Sequence, residues 1–402
     1  MLYSPTIQPD EYRQDTPSGH VWLTELTVNG FRNYDHLSVS LDHRPVILTG
    51  PNGAGKTNLM EAVSLLAPGR GLRRARVTQM ARQSRLAAAN GGASTAWSVA
   101  VRMETPDGPF QAGTGITDDP AGHEPSRRLI RIDGETASQT QLAERVAVSW
   151  LTPEMDQVLG APPSERRRFL DRLVIAFDPA HSGRLQRYDK ASRQRNRLLD
   201  ENRGDATWLE ALEAELAASG VAILAARMAL VEALDREAPP PVPVFPSARL
   251  HLEGEAEEWM QTMPAIDVED RIRMEAKAAR QRGEKSIPGA SASVLVATHS
   301  GTGQDAELSS TGEQKALVIS VILAHARLQS KRLRRPPILL LDDIASHLDE
   351  RRRNALFDLT GELAGQVWFS GTDEAIFETL IKTGQHIPIA AGRMVPSHAD
   401  GE

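Results

Sequence analysis

Gly50-Pro51-Asn52-Gly53-Ala54-Gly55-Lys56-Thr57 decides the fold. The stretch fits G-x-x-x-x-G-K-[ST] and follows the apolar run Pro45-Val46-Ile47-Leu48-Thr49. It opens a segment in which Leu59, Ala62, Val63 and Leu66 recur at helical spacing until Pro68-Gly69. Strand, glycine loop and helix in that order make a phosphate cradle. Backbone N–H groups of the loop and helix start point at phosphate oxygens, Lys56 reaches the β- and γ-phosphates, and Thr57 ligates Mg2+. The plainer alternative, an ordinary Gly-rich turn, needs the full pattern to arise by chance at the one place where strand and helix flank it. Gly50, Asn52, Gly53, Gly55, Lys56 and Thr57 are the candidate nucleotide-binding residues, with Asn58 next to them.

Upstream, Val21 to Leu41 alternates like paired strands around the turn Phe31-Arg32-Asn33-Tyr34. Downstream, Trp97 to Met103 and Leu129 to Ile132 read as strands, with Asp133-Gly134 as a turn. From about Leu151 the period becomes helical. Apolar residues every three or four positions between Trp208 and Asp235 predict a long amphipathic helix, stopped by Pro239-Pro240-Pro241. Its charges are mainly acidic (Glu210, Glu213, Glu215, Glu232, Asp235, Glu237), which predicts a face toward solvent or a protein partner. Ser293 to Val296, Pro337 to Leu341 and Gln366 to Phe369 are core-strand candidates, with a helix over Gly312 to Leu328. The expected fold class is therefore α/β: a mixed-sheet P-loop ATPase head split by an α-helical insertion. Its expected parts are a flexible tail (1–20), the first part of the head (21–150), a helical arm (151–285) and the second part of the head (286–402).

The chain's 402 residues contain no cysteine, which excludes thiolate metal sites and cysteine nucleophiles and fits a reducing compartment, the cytoplasm by default. No uncharged apolar run is long enough for a membrane span, and residues 1–20 lack the apolar core of a signal peptide. A net charge of −7 means that contact with nucleic acid must come from a local basic face.

Ile338 to Leu341 followed by Asp342-Asp343 has the form of a Walker B strand: Asp342 for Mg2+, Asp343 to orient the attacking water. Ser310-Thr311-Gly312-Glu313-Gln314 opens a helix and is physically sound as a capping box, Glu313 reaching back to Ser310. It also resembles the signature motif of ABC-type ATPases, in which the Ser hydroxyl and Gly N–H bind a γ-phosphate held by a second protomer. That resemblance makes Ala345 to Asp349 a D-loop, with His347 read as a surface residue, and puts Thr372 where such proteins carry a switch histidine.

Leu26 to Tyr34, the P-loop running into Asn58-Leu59-Met60-Glu61-Ala62, Trp150 to Glu154, Arg166 to Asp171, Ser310 to Leu317 and Leu341 to Asp349 together closely resemble the RecF family, recombination mediators related to SMC-type ATPases. The resemblance implies an ATP-dependent homodimer that binds duplex or gapped DNA and works with RecO and RecR to load recombinase. It also implies that Arg32 lies beside the base and sugar of ATP, and it gives Ser310, Gly312, Asp349 and Thr372 their ATP-site roles, Lys56 and Asp343 serving as catalytic groups. Three departures stand out. Asp343 stands where most ABC proteins have Glu, which predicts slow hydrolysis. No Q-loop glutamine is identifiable near Thr152 to Gln157. Gly289 to Val294 lacks the His, Arg and Asp of the family's Gly-Pro-His-Arg-x-Asp-like segment.

Arg70, Arg73, Arg74, Arg76, Arg82 and Arg85 crowd the chain just after the P-loop helix with no acidic residue among them. They are the first candidate for DNA contact; Arg184, Arg187, Lys190, Arg193, Arg195 and Arg197 are the second. Solvated faces are the ordinary alternative for both. Arg-rich, aromatic-poor segments suit duplex phosphates better than stacked single strands. The rivals to this reading are a transporter ATPase, disfavoured by the 286 positions between Lys56 and Asp342; a long-armed SMC protein, disfavoured by the absence of sustained heptads; and a nucleotide-gated clamp that does not hydrolyse.

Overall fold

The computed structural model describes residues 19–82, 95–117, 127–201, 205–237, 245–345, 348–363 and 365–395. Two compact units emerge: the chain up to Pro153 together with Gln329 onward, and Glu154–Leu328 between them.

The first unit holds two sheets. One is antiparallel, in the order β2-β1-β4-β5-β6-β7, built from β1 (Trp22–Phe31), β2 (Tyr34–Ser40), β4 (Trp97–Glu104), β5 (Phe110–Ile116), β6 (Leu129–Ile132) and β7 (Glu135–Thr136). Its strands alternate, Leu26, Val28, Val99 and Val101 facing inward while Thr27 and Asn29 hydrogen-bond on the outer face, the pattern of a sheet with one buried side. The other sheet runs β14-β13-β3-β12-β11-β8, from β3 (Val46–Thr49), β8 (Val148–Leu151), β11 (Ile338–Leu341), β12 (Val367–Gly371), β13 (Gln385–Ala390) and β14 (Arg393–Met394). All its pairings except β13 with β14 are parallel, and β3, β8, β11 and β12 are buried along their whole length. Continuous apolar runs such as Ile338-Leu339-Leu340-Leu341 are what strands covered on both faces require. Because these strands are parallel, the residues that follow β3, β11 and β12 emerge at one edge, where open α/β sheets bind ligands.

The second unit is helical, with helices Pro163–Ile175, Ala180–Asp200, Ala206–Glu237, Glu255–Thr262 and Ala265–Gln281 and one hairpin, β9 (Ala248–Glu253) with β10 (Val294–His299). The 32-residue helix Ala206–Glu237 lies in its core, burying Leu212, Leu216, Ile223 and Leu224 against Tyr188, Trp259 and Ile272. It is the one described helix long and apolar enough to cross a membrane, and burial within the unit accounts for that composition. Its acidic face is only partly external: Glu213 is buried and accepts from Arg195 Nε at 3.1 Å.

The expected division at 285/286 differs from the structure, in which the middle unit runs on to Leu328. The reason is strand pairing: β10 is bonded along its length to β9, so residues 294–299 belong with the helical unit and not with the parallel sheet. The segment 289–293 is tied to that unit as well, Arg227 donating to Ala290 O at 2.7 Å, Arg167 to Ser293 O at 2.8 Å and Tyr188 Oη to Ser291 Oγ at 3.0 Å.

Candidate functional site: a phosphate cradle at the sheet edge

The loop after β3 turns through Gly50, Gly53 and Gly55 at φ 139, 76 and 122°, in the left-handed region that favours glycine. At Gly55 space forbids a side chain as well, since a Cβ would lie 2.5 Å from the Tyr34 hydroxyl. The cradle is braced from below. Asn33 Nδ2 donates to Ala54 O at 2.9 Å, Gly392 N–H donates to the same oxygen at 2.8 Å, and Asn58 Nδ2 donates to Asn33 Oδ1 at 2.7 Å. Helix Lys56–Ser64 follows, with its unpaired N–H groups at the loop and Leu59, Met60, Ala62 and Val63 buried. Its far end is held by Arg128, which donates to the carbonyls of Leu65, Ala67 and Gly69. Burial pulls that guanidinium down to about 10.

Lys56 folds back over the loop, donating to Gly50 O at 2.6 Å and Pro51 O at 3.0 Å. Burial lowers its affinity for a proton, while the charges of Asp343 and Asp342 raise it. Thr57 Oγ1 donates to Asp342 Oδ1 at 2.9 Å, so the two residues read separately as metal ligands meet side by side. Ser370, on β12, donates to the same carboxylate oxygen at 2.6 Å and accepts from Asp343 N–H at 2.9 Å. It was not singled out in the sequence, although a hydroxyl within a buried strand is a usable signal. Desolvation raises the Asp342 carboxyl; the Ser370 and Thr57 hydrogen bonds, and the Arg73 charge, oppose this. A hydroxyl and a carboxylate placed together after the P-loop are the donor set of a hard divalent cation, and they fit Mg2+.

Other expected residues fall in different places. Arg32, at φ 56° in the β1–β2 turn, pairs with the buried carboxylate of Glu61 through Nε at 2.7 Å and Nη2 at 2.5 Å. Asn58 accepts from Arg73 Nη1 at 2.6 Å. Arg73, read as a DNA contact, is thus turned to the first turn of the P-loop helix. Arg82 pairs with Asp35 at 2.8 Å. Arg70, Arg74 and Arg76 stay exposed and meet no carboxylate among the described residues. Arg85, Ser346 and His347 lie outside the described residues. Of the second basic stretch, Arg184, Arg187, Arg195 and Arg197 are engaged with Asp178, Glu215, Glu213 and Glu201, which leaves it a weaker phosphate surface. Thr372 is exposed just beyond β12, whose Gly371 pairs with Thr49. Asp349 caps helix Glu350–Gly361 by accepting from Arg352 N–H at 2.9 Å.

In the helical unit, Ser310 and Gly312 stand at the start of helix Thr311–Leu333. The capping box is present: Ser310 N–H donates to Glu313 Oε2 at 3.0 Å and Glu313 N–H donates to Ser310 Oγ at 3.4 Å, with Ser310 Oγ also donating to Glu313 Oε2 at 2.8 Å. Behind it Lys315, itself buried, donates to Asp156 Oδ2 at 2.9 Å, and the Gln314 side chain holds the Ser309 carbonyl at 3.1 Å.

A parallel sheet whose edge carries a P-loop, a Thr–Asp pair and a second carboxylate defines a P-loop nucleotide-binding head, which comparison with known proteins places in the ABC and SMC class. In agreement, the family described as RecF/RecN/SMC N terminal domain matches residues 22–382. The DNA replication and repair protein RecF of Mesorhizobium japonicum is 43% identical over 383 residues, covering 93% of this chain and 98% of the relative. That of Rhizobium meliloti is 43% identical over 381 residues, with the same coverage. The chain belongs to the RecF family. Its fold is similar to that of the recombination mediator protein RecF-ATPrS of the RecFOR pathway, with a TM-score of 0.77 at 20% identity over 94% of this chain and 99% of the other. An SMC head bound to the C-winged helix domain of ScpA is similar at a TM-score of 0.54 and 16% identity, over 94% and 98%.

Proposed function

We propose that the protein is an ATP-dependent DNA-binding protein of DNA replication and recombinational repair, acting in the cytoplasm. It pairs on duplex or gapped DNA when ATP is bound, is released by slow hydrolysis, and assists recombinase loading together with RecO and RecR. The observation that carries the reading is the convergence of Thr57, Asp342 and Ser370 beside the P-loop, Thr57 and Ser370 each at hydrogen-bond distance from the same Asp342 oxygen although the three come from different elements. The relatives' description as DNA replication and repair proteins supports the biological role.

In this reading Gly50, Asn52, Gly53 and Gly55 receive the phosphates through backbone N–H groups, and Lys56 exchanges the Gly50 and Pro51 carbonyls for phosphate oxygens. Mg2+ held by Thr57 and Asp342 supplies charge neutralisation at the β- and γ-phosphates. Asp343 orients and deprotonates the attacking water. Ser310 and Gly312 serve the γ-phosphate held by a second protomer, so each site needs two chains. Asp349 and Thr372 complete it.

Pairing is tested at Ser310. Ser310→Arg leaves ATP binding by one chain intact and abolishes the ATP-induced dimer in light scattering, because bulk and positive charge enter the face that docks. A dimer that persists would reduce Ser310 to its capping role. DNA contact is tested at the three exposed arginines that meet no carboxylate among the described residues. Arg70, Arg74 and Arg76 reversed to Glu should weaken duplex binding without changing sequence preference, and flatten the slope of log affinity against log salt by about 2 to 3. An unchanged slope would move the DNA to another surface.

A further inference from the structure

Glu61 stands one turn beyond the phosphate-binding residues of helix Lys56–Ser64, on a helix whose neighbouring buried residues are apolar. It is fully buried, and a buried charge is costly unless well paired. Its partners are two guanidiniums from different segments. Arg32, from the β1–β2 turn, takes both carboxylate oxygens, at 2.7 Å through Nε and 2.5 Å through Nη2. Arg73, from the segment after the helix, reaches Oε2 at 3.4 Å while donating to Asn58 at 2.6 Å with the same nitrogen. Arg32 is fixed further by donating from Nη1 to Gln79 O at 2.8 Å and from its backbone N–H to Met80 O at 2.8 Å. The carboxylate is shut off from solvent, whereas the Arg32 and Arg73 side chains are 19% and 41% exposed. One hidden anion thus holds two reachable cations beside the start of an anion-binding helix.

We propose that Glu61 is a positioning residue of the nucleotide site: its carboxylate orients Arg32 and Arg73 so that both cations stand in place before the nucleotide arrives. Charges already oriented cost no reorganisation when negative charge shifts during phosphoryl transfer, whereas a free arginine has many rotamers to lose. The inference rests on the nucleotide reading above and adds to it a residue that touches no ligand and acts through the two arginines.

The test compares wild type, Glu61→Gln, Glu61→Asp, Arg73→Gln and the Glu61→Gln/Arg73→Gln double variant. Mg-ATP affinity is measured by titration and hydrolysis by single turnover, both corrected for the folded fraction. Glu61→Gln should bind Mg-ATP within a few-fold of wild type, since loop, Lys56 and Thr57 are unchanged, and lose at least about tenfold in turnover. Glu61→Asp should recover part of the loss. In the double variant the loss should be smaller than the product of the single losses, the mark of residues acting as a unit. Turnover of folded Glu61→Gln at the wild-type rate, or single losses that simply multiply, overturns the proposal. If Glu61→Gln does not fold, the half-exposed Arg73→Gln decides alone, and wild-type turnover in it overturns the proposal. Wild-type protein that fails to bind Mg-ATP at all overturns the nucleotide reading and this proposal together.

Discussion

Asp343→Asn protein should bind Mg-ATP as tightly as wild type and hydrolyse it at least about a hundredfold more slowly, the scale of a lost general base. Asparagine has nearly the shape of aspartate but cannot take a proton from the attacking water. The backbone makes this substitution clean. Asp343 sits at φ 52°, a conformation that Asp and Asn tolerate better than other side chains, and the Asp343 N–H bond to Ser370 Oγ at 2.9 Å survives the change. Asp342 keeps its contacts with Thr57 and Ser370, so the residues proposed to hold Mg2+ are untouched. Single-turnover hydrolysis with a parallel binding titration checks the prediction. Weakened ATP binding with proportionate loss of turnover would make Asp343 a metal ligand instead of a base.

Lys56→Ala should remove ATP binding almost entirely, by about a hundredfold or more, because a charge-assisted contact to phosphate disappears while the dianionic end of the nucleotide remains buried against the loop. Lys56 is itself buried, so the change also removes the donor that satisfies the Gly50 and Pro51 carbonyls in the absence of nucleotide. Those carbonyls lie beside exposed Pro51 and Asn52, where water can replace the ammonium, and the thermal midpoint should move by only a few degrees. Isothermal titration and a melting curve together check both halves; unchanged affinity would take Lys56 out of the site.

What could be read in the sequence was what is local. The P-loop, the β1–β2 pair and the apolar strand before Asp342 each announce themselves within about twenty residues, and all three stand where they were expected. Strands that violate the usual signals were missed. β13 contains Pro388, and β5 contains Gly113 and Gly115, the latter required because a Cβ would come within 2.3 Å of Trp97 O. β10 was seen as a strand but assigned to the wrong unit, since its partner β9 lies more than 40 positions earlier and pairing is not visible in a pattern of period two. Charge runs carried the least direction. Arg73 and Arg76 are three positions apart in the same basic stretch, yet one turns to Asn58 and Glu61 and the other stays exposed. Glu61 itself was invisible as a functional residue, because a single acid in a helix reads as solvated until its burial is known. Asn33 and Ser370, which brace the loop and the acidic pair, were hidden for a similar reason: each acts through two hydrogen bonds to a distant segment.

The central claim is that ATP bound at the P-loop joins two chains and that hydrolysis parts them. The measurement that tests it most directly is the molar mass of the Asp343→Asn protein by multi-angle light scattering, with Mg-ATP and without nucleotide. The account predicts twice the 43.9 kDa chain mass with Mg-ATP, persisting through the run, and a single chain without it. A single-chain mass in both conditions, with ATP shown by titration to be bound, would contradict it.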